Sequence, residues 1–463
     1  MRYVSTRGTA PVLDFRAVTL TGLASDGGLY VPEGWPTMSE AEIAGLAGLS
    51  YVDTAVAVMM PFVGDAITAE DLRGLCDTAY GRFAHRAVTP LKQLDHDHWL
   101  LELFHGPTLA FKDVALQLLG LLFERFLHGS GKRLTVVGAT SGDTGSAAID
   151  ALAGRDGVEV FMLHPAGRVS DVQRRQMTTV LAPNIHNIAI EGSFDDAQAL
   201  VKAMFNDAGF AGRFTLSAVN SINWARLMAQ VVYYFYAAVR LGAPGRAITF
   251  SVPTGNFGDV FAGYVAAKMG LPIAKLIVAT NVNDILHRAL SAGDYAKGAV
   301  QQTVTPSMDI QVSSNFERLL FELAGRDGTA LAAQMHGFEA TGAMRLTNAQ
   351  RSGAGLFASD AVSHDDMAMA MRWACEHAAE VIDPHTAVAL AAARRQGADS
   401  PVVTLATAHP AKFRDAVERA TGVRPGLPGR LGDLFEREER YVTLPATFEA
   451  VTGYIAERAV GTR

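Results

Sequence analysis

The chain has 463 residues, 49% of them apolar and 19% charged, with a net charge of −7. At about 150 residues per domain this is material for two large domains or three smaller ones with a real core, and it excludes a disordered chain. The negative balance argues against nucleic acid or an anionic membrane as main partner, while leaving room for a local anion site of backbone N–H groups and one or two arginines.

Taken in order, the first ninety residues show helical spacing at 54–60 and 69–80 and turns at 27–28 and 32–34. They read as an N-terminal accessory region. The start lacks the apolar core of a secretory signal. The stretch 114–127 is too short and too charged to span a bilayer. Cys76 and Cys375 are too few for a disulfide framework and fit no zinc spacing, so a reducing, cytoplasmic setting is expected. Asp95, His96, Asp97 and His98 read as a solvated turn rather than a metal site.

Beyond residue 100, β-branched runs alternate with helical patterns. A helix is expected over 113–127. Strands are expected at 134–138, 158–163, 185–190, 247–252, 275–279 and 402–406. Helices are expected at 146–152, 171–180, 194–205, 223–241, 259–269, 315–323 and 367–381, with Met177, Met204 and Met228 on apolar faces. This alternation predicts βαβ units and an α/β fold of mostly parallel sheets covered on both faces. Ligands of such sheets sit at strand C-termini.

Two glycine loops stand at such termini. GATSGDTG spans 138–145 and PTGNFGD spans 253–259. Glycine lets backbone approach a ligand, and free N–H groups at a helix start bind anions. Ser141, Thr144 and Thr254 add hydroxyl donors. One such loop reads as ordinary turn and cap chemistry; two in one α/β chain favour an anionic ligand. Neither is a dinucleotide fingerprint, and GSGKR at 129–133 fails as a P-loop, with Phe126 where glycine is needed and Arg133 in place of Ser or Thr.

Lys112 follows three apolar residues and stands at the start of the predicted helix. Desolvation and a helix N-terminus both lower the proton affinity of an amine, and a neutral amine is what a Schiff base needs. Alone, a lysine snorkelling at a helix start explains it. With two anion loops it forms the pair that pyridoxal 5′-phosphate requires.

These residues resemble the threonine synthase family of pyridoxal-phosphate enzymes, in its longer fungal and bacterial branch. The resemblance is carried by YVSTRG at 3–8, DGGLYVP at 26–32, FHGPTLAFKD at 104–113, TSGDTG at 140–145, NSINWAR at 220–226, GNFGD at 255–259 and TAHPAKF at 407–413. It implies a tryptophan-synthase-β-like fold, with a smaller α/β domain over 91–220 and a larger one over 221–463, the cofactor lying between them. It implies conversion of O-phospho-L-homoserine and water to L-threonine and phosphate. Lys112 would hold the cofactor and shuttle protons. Thr254, Gly255, Asn256, Phe257 and Gly258 would bind its phosphate, and Thr407 its ring nitrogen. Asp143 would stand beside its phenolic oxygen, where many relatives in the wider group carry asparagine. A carboxylate there repels a phenolate unless one of them holds a proton. Ser141, Gly142 and Thr144 would receive the substrate carboxylate, and Asn223 would also bind the substrate. Arg226 suits the substrate phosphate, a surface ion pair being the competing reading. His105 lies close to Lys112 in sequence without an assigned role. A phospho-lyase yielding 2-oxobutyrate and a non-catalytic binder of the cofactor are the alternatives. No metal is implied, and the chain is expected as a monomer or homodimer acting on a small molecule.

Overall fold

The computed structural model describes residues 1–217, 219–397 and 399–459. The β-branched runs form two sheets, and the glycine-, serine- and threonine-rich turns after them start helices. The larger sheet has six strands in the order Phe357–Ala361, Ile273–Thr280, Ile248–Pro253, Val402–Ala406, His98–Glu102 and Leu91–Gln93. All its pairings are parallel except the last. The smaller sheet has five parallel strands in the order Val442–Pro445, Ile185–Glu191, Val158–Pro165, Leu134–Ala139 and Leu216–Ser217.

The two sheets interleave in sequence, which departs from the expected division at residues 91 and 221. Leu91–Gln93 and His98–Glu102 precede the smaller sheet but join the larger one. Val442–Pro445 comes last but pairs with Ile185–Glu191. The physical reason is cover. Ile188 and Ile190 need an apolar lid, and Val451 and Ile455 of the terminal helix Phe448–Arg458 lie in the same buried cluster. Nor are the first ninety residues a separate layer: Tyr3, Phe15, Tyr51 and Phe62 share one cluster with Trp224 and Phe250.

The helix Trp224–Arg240 runs through the middle, buried along its length except at Arg240. Its sequence is apolar around the circumference, as a helix with neighbours on every face requires. Arg226 and Gln230 break that pattern one turn apart, on one face, and both are buried.

Most expected elements are present with shifted ends. The helix Asp143–Leu152 begins three residues before the expected 146, which places Asp143 in its first turn. Strand Phe357–Ala361 and helix Pro384–Gln396 were not foreseen. Pro32 closes the strand Tyr30–Pro32 rather than standing in a turn. His98 is no part of a solvated turn: it opens a strand, is buried, and its Nε2 lies 2.7 Å from Thr404 Oγ1. Met177, Met204 and Met228 are fully buried. Among the described residues no helix is long and apolar enough to cross a membrane.

Candidate active site

A cleft of about 410 Å³ opens where strand ends of both sheets meet. Lys112 is its central amine. It is the first residue of the helix Lys112–Leu127 and is 8% exposed. A short backbone ladder fixes it opposite the larger sheet: Phe111 N donates to Thr407 O at 2.8 Å, and His409 N to Leu109 O at 3.0 Å. The loop before it is tied down by Asp113, which accepts from Thr108 N at 2.8 Å and Thr108 Oγ1 at 2.7 Å. Burial pulls the Lys112 amine below the ordinary lysine range; Asp143 pulls it back up, while Lys412 and Arg226 push it further down.

The loop after Ile248–Pro253 forms a cradle. Phe257 takes a left-handed conformation, φ 62°, and caps the helix Gly258–Lys268 without a side-chain hydrogen bond. An aromatic residue holds that conformation because its ring packs on Phe316 and Phe357. The first N–H groups of the helix therefore face the cleft without a side-chain cap, as an anion site requires. Gly255 is needed for close approach, since a Cβ there would lie 2.5 Å from Ser307 O. In the first turn Asp259 accepts from Tyr233 Oη and, at 3.1 Å, from Tyr234 Oη. Burial pushes its carboxyl up to about 6 against those two hydrogen bonds.

On the facing wall, Asp143 lies between two ammoniums. Its Oδ2 is 3.6 Å from Lys112 Nζ, and its Oδ1 is 3.0 Å from Lys412 Nζ. Gln173 Nε2 donates to Oδ1 at 2.8 Å. Burial opposes ionisation, but Lys412 and Lys112 outweigh it and hold the carboxyl well below the usual carboxylate range. Repulsion between this carboxylate and a phenolate is thus countered by neighbouring cations.

Arg226 is 3% exposed, and its Nη1 donates to Val219 O at 2.8 Å. Its Nε has no partner, and among the described residues no carboxylate pairs with it. Burial pushes the guanidinium down to about 10, still a full cation at neutral pH. It is not a surface ion pair.

Of the residues expected at the site, Lys112, Ser141, Asp143, Thr144, Arg226, Thr254, Gly255, Asn256, Phe257, Gly258 and Thr407 line the cleft. Two do not. Asn223 is fully buried: its Oδ1 caps the central helix at Ala225 N, and its Nδ2 donates to Thr19 O at 2.8 Å. Gly142 lies behind the wall, with φ 134°, and a Cβ there would strike Gln173. His105 pairs with Glu102 Oε2 at 2.7 Å, outside the lining. Four neighbours were missed. Gln230 was legible, four residues after Arg226 on a helix face. Lys412 stood in a motif already singled out, without a role. Ser307 and His385 enter through tertiary contacts alone; His385 Nδ1 lies 2.9 Å from Asp383 Oδ1 and its Nε2 has no partner.

An amine of lowered proton affinity, an uncapped helix start and a guanidinium without a carboxylate partner among the described residues, all in one cleft, suit a phosphorylated aldehyde cofactor together with an anionic substrate. The comparisons agree. Family models match three stretches of the chain: "Threonine synthase N terminus" at residues 2–80, "Pyridoxal-phosphate dependent enzyme" at 83–351 and "Threonine synthase, C-terminal" at 386–455. A threonine synthase of Pseudomonas aeruginosa is 55% identical over 99% of this chain and 98% of that protein. The crystal structure of pyridoxal-phosphate-bound threonine synthase from Brucella melitensis superposes with a TM-score of 0.96 at 52% identity, covering 99% of both chains. That of the yeast threonine synthase gives 0.93 at 40% identity, covering 99% of this chain and 98% of that one. This chain belongs to the threonine synthase family of pyridoxal-phosphate-dependent enzymes.

Proposed function

We propose that the protein converts O-phospho-L-homoserine and water to L-threonine and phosphate in the cytoplasm. One observation carries the substrate assignment: a buried Arg226 guanidinium, its Nε without a partner and no carboxylate paired with it among the described residues, shares a cleft with Lys112 and a separate anion cradle. Two phosphates, one on the cofactor and one on the substrate, account for both cationic features.

When bound, pyridoxal phosphate supplies an electron sink that lets protons leave carbons near the substrate amino group. Lys112 would hold the cofactor through Nζ, and its amine would move protons at Cα, Cβ and Cγ of the substrate. The lowered proton affinity of its buried amine suits both tasks. The backbone N–H groups of Gly255, Asn256, Phe257 and Gly258 would bind the cofactor phosphate, while the Thr254 hydroxyl, expected to join them, donates to Val252 O at 2.7 Å and so braces the loop. The Thr407 hydroxyl, at the cleft wall, would hydrogen-bond the ring nitrogen of the cofactor. Ser141 and Thr144, with Asp143 beside them, orient the substrate carboxylate. Arg226 holds the substrate phosphate until it leaves Cγ. Lys112, Asp143, Arg226, Gln230, His385 and Thr407 are buried at the heart of the cleft, which keeps bulk water from carbanionic carbon.

The test is a product assay with O-phospho-L-homoserine and the cofactor-loaded protein. Threonine equal to released phosphate is the expected result. Phosphate with 2-oxobutyrate would make the protein a phospho-lyase, and no phosphate would overturn the substrate. Separately, borohydride reduction followed by peptide mass mapping is expected to place the cofactor on Lys112; attachment at another lysine would overturn that role.

A further inference from the structure

Lys412 is a second buried lysine at the cleft, and the reaction as proposed gives it no task. Its side chain is fully covered. Its ammonium has three close acceptors: Thr108 O at 2.7 Å, Gln176 Oε1 at 3.0 Å and Asp143 Oδ1 at 3.0 Å. These come from three places in the chain, the loop before Lys112, the helix Asp171–Thr178 and the first turn of Asp143–Leu152. Lys412 itself follows the strand Val402–Ala406 of the larger sheet. Asp143 thus lies between a lysine whose ammonium is fully coordinated and Lys112, the lysine whose nitrogen is taken up by the cofactor.

The asymmetry matters once Lys112 is engaged. The carboxylate then depends on its remaining neighbours, and a buried charge that loses its counter-ion is strongly destabilising. The groups facing Asp143 are Gln173 Nε2 at 2.8 Å, Ser307 Oγ at 3.5 Å, the imidazole of His385 and the two lysines. Gln173 and Ser307 bring dipoles only. Burial favours the neutral acid, and Lys412 is the strongest charge opposing it, ahead of Lys112 and His385.

We propose that Lys412 is a positioning residue for the reaction: the permanent counter-ion of Asp143, which it holds as an oriented carboxylate beside Lys112 Nζ while that nitrogen is engaged with the cofactor. The inference rests on the reading of Lys112 as the cofactor's lysine.

The test is a double-mutant cycle of Lys412→Met and Asp143→Asn with two readouts. One is the melting temperature of the cofactor-free protein. The other is the visible absorption of the cofactor-loaded protein as a function of pH. Lys412→Met is expected to lower the melting temperature by several degrees and to move the pH of the absorption change by at least about one unit. In the Asp143→Asn background both effects largely vanish. A single variant that matches the parent in both readouts, or effects of equal size in both backgrounds, would overturn the proposal. Lys412→Gln keeps hydrogen bonds without the charge and should behave as Lys412→Met; restoration of parental behaviour by glutamine would also overturn it. If Lys412→Met does not fold, the double variant is expected to fold; failure in both backgrounds counts against the pairing. Cofactor attachment at another lysine would remove the absorption readout and leave the melting cycle intact, so the two readings fail separately.

Discussion

Burial acts on the charged groups of the cleft in senses set by their partners. Lys112 is buried among other cations with one anion nearby, and its amine releases a proton more readily than an exposed lysine. Asp143, between two ammoniums, keeps its charge instead. Arg226 has no anion at all among the described residues, and a bound phosphate would supply one with a two-point contact. Arg226→Gln is therefore expected to lower kcat/KM by about 10–100-fold, in line with the 1.5–3 kcal/mol of a hydrogen bond to a charged group. Most of this should appear as a raised KM, with the cofactor's absorption unchanged. Steady-state kinetics and a visible spectrum check both halves; an unaltered KM would place the phosphate elsewhere.

At the scale of elements, the start of the helix Trp224–Arg240 shows why an N-terminal region accompanies this fold. Trp224 packs against Tyr3, Trp35 and Phe62, at ring distances of 5.8, 6.0 and 5.6 Å. Asn223 reaches Thr19 O, and Arg318 bridges Tyr30 O and Ile222 O. The N-terminal residues thereby fix the first turn that carries Arg226. Asn223→Ala removes a cap and a buried hydrogen bond and should cost about 1–2 kcal/mol. It should also raise KM without releasing the cofactor, as measured by denaturant unfolding and kinetics. Asn223 shows the reach of sequence reading. Its motif was legible, but its direction was not, because a cap and a substrate ligand draw on the same short polar side chains. The strands and helices of the βαβ units were legible from their periodicity, and most of the cleft followed from loops at strand ends. What failed was membership. Nothing local in Leu91–Gln93 or Val442–Pro445 says which sheet it enters, since pairing is decided by apolar faces that meet only in three dimensions. Lys412 was hidden for a related reason: a lysine becomes a buried counter-ion only when a distant carboxylate meets it.

At the scale of the whole molecule, pH dependence collects effects of both signs. Asp113 and Asp259 are pushed up to about 6 by burial, so their contribution is complete below about 4 and lost as pH rises through 6. Burial pushes His98 the other way, down to about 4. The unfolded chain protonates such a group near 6.5. The stability it contributes is therefore present above that value and lost as pH falls from about 6.5 toward 4. The full amount is on the order of 3 kcal/mol at about 1.4 kcal/mol per unit. His98 also ties two neighbouring strands through Thr404. His98→Asn should lower stability at pH 7.5 and flatten the slope between pH 6.5 and 4.5 relative to the parent. Melting temperatures across that range decide it; parallel curves would mean that His98 does not titrate with unfolding.

The interleaving of the two sheets also has a consequence in time. Val402–Ala406 lies between Ile248–Pro253 and His98–Glu102, so the centre of the larger sheet is the last part of it to leave the ribosome. At roughly 5–20 residues per second, the strands that flank it wait on the order of ten to sixty seconds for their neighbour. In the smaller sheet Ile185–Glu191 waits a comparable time for Val442–Pro445. Thr407 arrives with the late strand, so a nascent chain presents Lys112 and both glycine loops before the wall opposite them exists. Closure of the cleft around Thr407 is thereby deferred until the late strand has joined its two neighbours.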